Sequence, residues 1–231
     1  MKTAIISLAR TGLALAGLSL AGCQQVASVA NPDIAQLARF QAANASPQAI
    51  AGETVVPTCG PDTCARLYAA HGVANLQLAM ADRAAPATCP PPSPAAQSQL
   101  DAAIHDLGKA LADLAGIDQA GQTRLWRDKA QALYCRAEQD RPASGLTFAV
   151  QAESAAQRAE PPAGNVLAGW AALYVAVFAP DASTRCDAAA RAKAAAESGL
   201  KAGPDAASRA ALTRIGNDAR QSAAAAGCPL S

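Results

Sequence analysis

Seven cysteines in a chain with few large side chains set the tightest limit on what this sequence can build. Alanine is its commonest residue, and only two Trp, three Tyr and three Phe are available to fill a core. Alanine is the best helix former and β-branched residues are sparse, so helix is favoured almost everywhere. Helices faced with alanine approach closely but bury little area per contact, so the core is expected to be thin. Six of the cysteines, Cys59, Cys64, Cys89, Cys135, Cys186 and Cys228, are spread along the chain, while Cys23 stands apart near its start. In an exported protein, six cysteines read as up to three disulfides. Each contributes about 2–4 kcal/mol, a large share of a domain's net stability.

The first residues point to export. Lys2 and Arg10 flank a short apolar stretch, an uncharged run over 11–21 follows, and small residues come next. This is the pattern of a secretory signal, and the run is too short for a bilayer span of about 20 apolar residues. Leu20-Ala21-Gly22-Cys23 resembles the lipobox of bacterial lipoproteins, in which a small-residue pair precedes the cysteine that takes the lipid. The resemblance implies that residues 1–22 are removed, that Cys23 is acylated on its thiol and its new amine, and that the lipid makes the membrane a partner. Gln24, where an Asp often signals retention in the inner membrane, implies the periplasmic face of the outer membrane. Several acyl chains hold a protein stably where one does not. Residues 24–30 then form a tether of about 25 Å when fully extended. Loss of 1–22 removes two of the 19 basic residues and none of the 18 acidic ones, for a net charge of −1. Nothing here resembles the basic stripe of a nucleic-acid binder.

Beyond the tether the spacing of apolar residues predicts helices broken by proline and glycine. Asn31-Pro32 opens one over 32–43, and 44–61, rich in proline and glycine, reads as a loop. Next come 64–83, with Leu67, Tyr68, His71, Ala74 and Leu78 on one side, and the prolines of 86–94 as a breaker. Leu100, Ile104, Leu107, Leu111 and Leu114 form a single seam that Gly116 stops. Helices over 122–139, with Trp126, Ala130, Leu133 and Tyr134, and over 145–159, capped by Ser144 and carrying Leu146 and Val150, follow. The most apolar stretch, 165–178, places Val166, Leu167, Trp170, Leu173, Tyr174, Val177 and Phe178 in a broad stripe expected to be buried at the centre. Helices over 183–200 and 205–226 complete the chain. Joined by the Gly203-Pro204 turn, these last two bring Cys186 beside Cys228, which are expected to pair. Cys59–Cys64 and Cys89–Cys135 are then the expected remaining bridges. The organisation is a signal (1–22), a lipidated cysteine with tether, short helix and loop (23–62), and a helical domain (63–231).

The helices also carry a recurring spacing. Ala103-x3-Leu107-x2-Ala110, Ala149-x3-Glu153-x2-Ala156 and Ala192-x3-Ala196-x2-Gly199 resemble the second helix of a tetratricopeptide repeat, with Trp126, Ala130, Leu133 and Leu167, Ala171, Tyr174 as partial first-helix matches. The loops are too long for that family's 34-residue unit. The expected fold is all-α: antiparallel helical hairpins stapled by disulfides, as either a tetratricopeptide-like α-solenoid or an irregular bundle.

Chemistry is sparse. Cys59-Gly60-Pro61-Asp62-Thr63-Cys64 resembles the redox loop of thioredoxin but has four residues between sulfurs where that loop has two, so a structural bridge is expected. Asp101 and His105, four apart, can touch on a helix surface beside Asp106. No serine or free cysteine stands near them in a recognisable context, and an exposed ion pair opposite the leucine seam is expected. His71, on the apolar side of its helix, reads as semi-buried. Zinc-type pairs and a phosphate-binding loop are absent from the pattern, so no cofactor is expected. The expected function is a non-catalytic, lipid-anchored interaction module for another envelope protein. An envelope enzyme with a site assembled from distant residues, or a carrier of a small lipophilic ligand, stand as alternatives.

Overall fold

The computed structural model describes residues 31–83 and 89–228. The signal segment, Cys23 and the tether lie outside the described residues. Among the described residues the chain is all-α, in nine helices: α1 (Pro32–Phe40), α2 (Pro47–Gly52), α3 (Pro61–Ala79), α4 (Pro94–Ala112), α5 (Gln119–Gln139), α6 (Pro142–Ala156), α7 (Ala163–Phe178), α8 (Ala182–Lys201) and α9 (Ala206–Ala226). Prolines open α1, α2, α3, α4 and α6, where the missing N–H costs nothing. Ser46, Ser93, Asp118, Asp181 and Asp205 each accept a bond from the backbone N–H three residues on, capping α2, α4, α5, α8 and α9.

Several expected boundaries move. The 44–61 stretch is not all loop: it contains α2, a single short turn with no buried residue and therefore no apolar periodicity to detect. The first helix stops at Phe40, short of residue 43, and Asn31 occupies its N-cap without a side-chain bond. Helices α3 and α5 begin earlier than 64 and 122, because Pro61 and the Asp118 cap extend them by a turn. Ser144 lies inside α6, which starts at Pro142 and ends at Ala156.

The helices pack as sequential antiparallel pairs: α3 on α4, α5 on α6, and α7 on α8 with α9. The first helices α3, α5, α7 and α9 also touch one another in order, whereas α4, α6 and α8 stay further apart. The molecule therefore has an inner side of first helices and an outer side of second helices. The recurring small-residue positions fall on α4, α6 and α8, and all are buried: Ala103, Leu107 and Ala110, then Ala149, Glu153 and Ala156, then Ala192, Ala196 and Gly199. The leucine seam holds at Leu100, Leu107 and Leu111.

Helix α7 is central, touching α5, α6, α8 and α9. Of the expected stripe, Leu167, Leu173 and Tyr174 are buried, but they share the buried face with Gly164, Ala168, Gly169, Ala171, Ala172, Val175 and Ala176. Val177 and Phe178 are exposed, at 55% and 42%, and Val166 and Trp170 are half-buried, so the expected stripe is buried only in part and the buried face is turned toward the small residues. The cause is close approach. A Cβ on Gly169 would stand 2.8 Å from Ile215 Cγ2, so α9 sits nearly on the α7 backbone and selects its small-residue face. Val150, expected on the buried side of α6, is likewise exposed.

Three disulfides join Cys59 to Cys64, Cys89 to Cys135 and Cys186 to Cys228, with Cα separations of 5.2, 5.2 and 5.7 Å. Such bridges belong to an oxidising compartment outside the cytoplasm. No helix among the described residues is long and apolar enough to cross a membrane.

Candidate functional site

The inner side carries an open groove of about 420 Å³. Its floor and one wall come from Tyr134 and Glu138 on α5, Trp170 on α7 and Arg214 on α9, while Pro90, Pro91 and Pro92 form the opposite wall. Tyr134 and Glu138 share a face because they are one helical turn apart. The Tyr134 hydroxyl donates to Glu138 Oε1 at 3.2 Å. Burial, with the neighbouring Glu138 carboxylate, holds that phenol far above its ordinary range, so it stays a donor. The Arg214 guanidinium lies 5.4 Å from the Trp170 ring centre and its Nε is 3.5 Å from Asp218 Oδ2. The bridge from Cys89 to Cys135 pins the proline run over α5. A second, shallow hollow lies on the outward face of α9, lined by Ala210, Thr213, Asn217 and again Arg214.

A histidine cleft lies at the other end, of about 330 Å³, lined by His71, His105, Asp106, Glu53, Thr54 and Tyr68 among others. Asp101 does not meet His105. It takes a bond from Arg136 Nε at 2.7 Å, because α5 packs against that side of α4. Asp106 instead gathers both histidines: His71 Nδ1 is 2.6 Å from Oδ2 and His105 Nδ1 is 2.9 Å from Oδ1. Asp106 is buried, so the expected exposed ion pair is a buried carboxylate with one half-buried and one exposed partner. His71 is semi-buried, stacked at 6.5 Å on Phe40, and its Nε2 is buried without a hydrogen-bond partner. Glu53 is engaged by Arg39 at 2.8 Å. The lining contains no serine and no cysteine, and no group of metal-binding side chains occurs among the described residues. The cleft thus ties the segment after α2 to α3 and α4.

The charges of this tie make stability depend on pH. The Asp106 hydrogen bond raises the His71 pKa against the opposing effect of burial. Burial pushes Asp106 up, but the bonds from His71 and His105 outweigh it and hold the carboxyl low. A raised histidine adds stability that is whole below about pH 6.5 and lost as pH climbs through its folded value. A lowered aspartate adds stability that is whole above about pH 4 and lost as pH falls through its folded value. Urea midpoints of the wild type are therefore expected to fall between about pH 6.5 and 9, with His71→Gln showing a flatter profile. Parallel profiles would remove His71 from this role.

On the outer side, Glu153 of α6 takes a two-pronged bond from Arg191 of α8, at 2.7 and 3.2 Å. This bridge spans a hollow of about 320 Å³ whose floor includes Asn165. All six bridging cysteines are held in disulfides, so none of them is a free thiol. Trp170, expected in the core, is half-buried: it packs against the cluster of Leu173 and Ile215 and also lines the groove, while Glu138, Arg214 and the prolines carry no motif that singles them out. The aromatic–carboxylate spacing of Tyr134 and Glu138 is the one signal available for that face. No family model, curated protein or solved structure matches this chain.

Proposed function

We propose that this chain is a non-catalytic lipoprotein of the outer membrane, facing the periplasm, whose inner groove holds a partner protein of the envelope. The observation that carries the reading is the open groove, walled by Trp170, Tyr134 and prolines and rimmed by Glu138 and Arg214. Partner-binding surfaces favour aromatic and Arg anchors within a polar rim. A carrier of a lipophilic ligand needs an enclosed apolar cavity, and an open charged rim does not suit one. The paired histidines on Asp106 are the one feature in favour of an enzyme, and their cleft lining lacks a serine or thiol nucleophile. Stacked helix pairs with small residues at corresponding places on α4, α6 and α8 support a tetratricopeptide-like reading, in which such helices present a binding surface.

The lipid places the groove. With residues 24–30 as tether, the domain stays within a few tens of ångströms of the bilayer. Cys23→Ser is expected to abolish acyl labelling and to leave an uncleaved or soluble form. Crosslinking followed by capture of the intact lipoprotein from envelopes is expected to yield a defined protein partner. Wild-type protein found wholly in the soluble periplasm without acyl mass on Cys23 would overturn the anchor, and capture of lipids or small molecules alone would overturn the interaction role.

A further inference from the structure

The groove has an asymmetry of charge. Arg214 is already committed, stacked on Trp170 and paired with Asp218. Glu138 has no such counter-ion: its bond comes from the neutral Tyr134 hydroxyl, and no basic side chain among the described residues pairs with it. The groove therefore offers an uncompensated carboxylate beside two aromatic rings. Its far wall is also unusual, because Pro90, Pro91 and Pro92 have no backbone N–H to offer a bound strand. Pro90 is buried and Cys89 packs in the cluster that includes Tyr134, so this face already seats a proline-rich stretch of its own chain.

We propose that the space between Pro90–Pro91–Pro92 and the Tyr134–Trp170–Arg214 wall takes an extended, proline-bearing segment of a partner protein, with a basic side chain set against Glu138. This rests on the interaction reading above and names the chemistry of its partner. Proline rings stack on the flat faces of Trp170 and Tyr134. A polyproline segment is already extended, so it loses little conformational freedom on docking, and aromatic-lined grooves are the usual receptors for such segments. It also brings few N–H groups that the donor-poor wall and the rings would leave unsatisfied. A Lys or Arg of the segment neutralises Glu138 and lies near the aromatic faces that favour a cation. An acidic segment finds Arg214 occupied and Glu138 repelling it.

Fluorescence anisotropy with the mature lipoprotein in detergent tests this, using labelled peptides Ala-Pro-Pro-Arg-Pro-Pro-Ala, the same peptide with Glu for Arg, and one with every Pro replaced by Ala. Saturable binding of the first is expected, weaker by about threefold for the Glu peptide and about tenfold for the all-Ala peptide, the first ratio being that of an exposed ion pair. Glu138→Gln is expected to abolish the preference for Arg over Glu while leaving the melting temperature unchanged. Trp170→Leu, which keeps an apolar side chain, is expected to weaken the proline peptides alone. Equal binding of all three peptides, or a preference for Arg that survives Glu138→Gln, would overturn the inference. Saturable binding of only the Glu or all-Ala peptide would also overturn it and leave the interaction role standing. Absence of peptide binding together with absence of any captured envelope protein would remove both.

Discussion

Gly72→Ala is expected to destabilise the domain by about 2 kcal/mol, although alanine is the better helix former by about 1 kcal/mol. The added Cβ would stand 2.9 Å from Leu107 Cγ, 3.0 Å from the Leu107 backbone nitrogen and 3.2 Å from Asp106 Cβ. Leu107 is fully buried, so it has no room to turn aside, and the backbone contact moves only if α3 and α4 part. Parting them also stretches the His71–Asp106 bond. Gly216→Ala supplies the opposite sign. Its Cβ would meet Ala196 at 3.7 Å, an ordinary contact, so the propensity gain is kept and about 0.5–1 kcal/mol of stability is added. Urea unfolding of both variants reads the pair, and equal shifts would mean that the helix spacing is wrongly placed.

Removing the bridge between Cys186 and Cys228, by alanine at both positions, is expected to cost about 4 kcal/mol, from the chain-entropy relation for a loop of this length. The two cysteines are 42 residues apart. Helix α9 has few means of its own to stay docked: its buried residues are Leu212, Ile215, Ala219 and Ala223, and of these two are alanine. Gly227 at φ 77° turns the chain so that Cys228 reaches back to the start of α8. Loss of the bridge is expected to free α9 first, taking Arg214 out of the groove wall. Hydrogen exchange in α9 that stays as slow as in α7, with an unchanged urea midpoint, would contradict this.

What was legible in the residues follows from what kind of signal they carry. Helix content and the Leu100–Leu107–Leu111 seam were readable because large apolar residues recur at helical spacing. The antiparallel terminal hairpin was readable because two helices of similar length and one Gly-Pro turn leave little choice of geometry. The face of α7 is legible only in part: Leu167, Leu173 and Tyr174 are buried as their apolarity suggests, whereas Val177 and Phe178 are exposed. In a chain this rich in alanine, neighbouring helices come closest at small residues such as Gly164 and Gly169, and the burial of these and of Ala171 and Ala172 is marked by no hydrophobicity pattern. Asp106 as the meeting point of two histidines was missed, since His71 is 35 residues away and only the α3–α4 packing brings it there. The groove was invisible for the same reason: Pro90, Tyr134, Trp170 and Arg214 come from four separate segments.

Site-specific photocrosslinking in intact envelopes bears most directly on the groove as the working surface. A photoreactive residue at Pro91, exposed on the wall of the groove, is expected to give a discrete crosslinked protein. The same residue at Ser154, exposed on α6 among the outer helices, is expected to give none. A discrete crosslink from Ser154 with none from Pro91 would place the partner on the opposite side of the molecule.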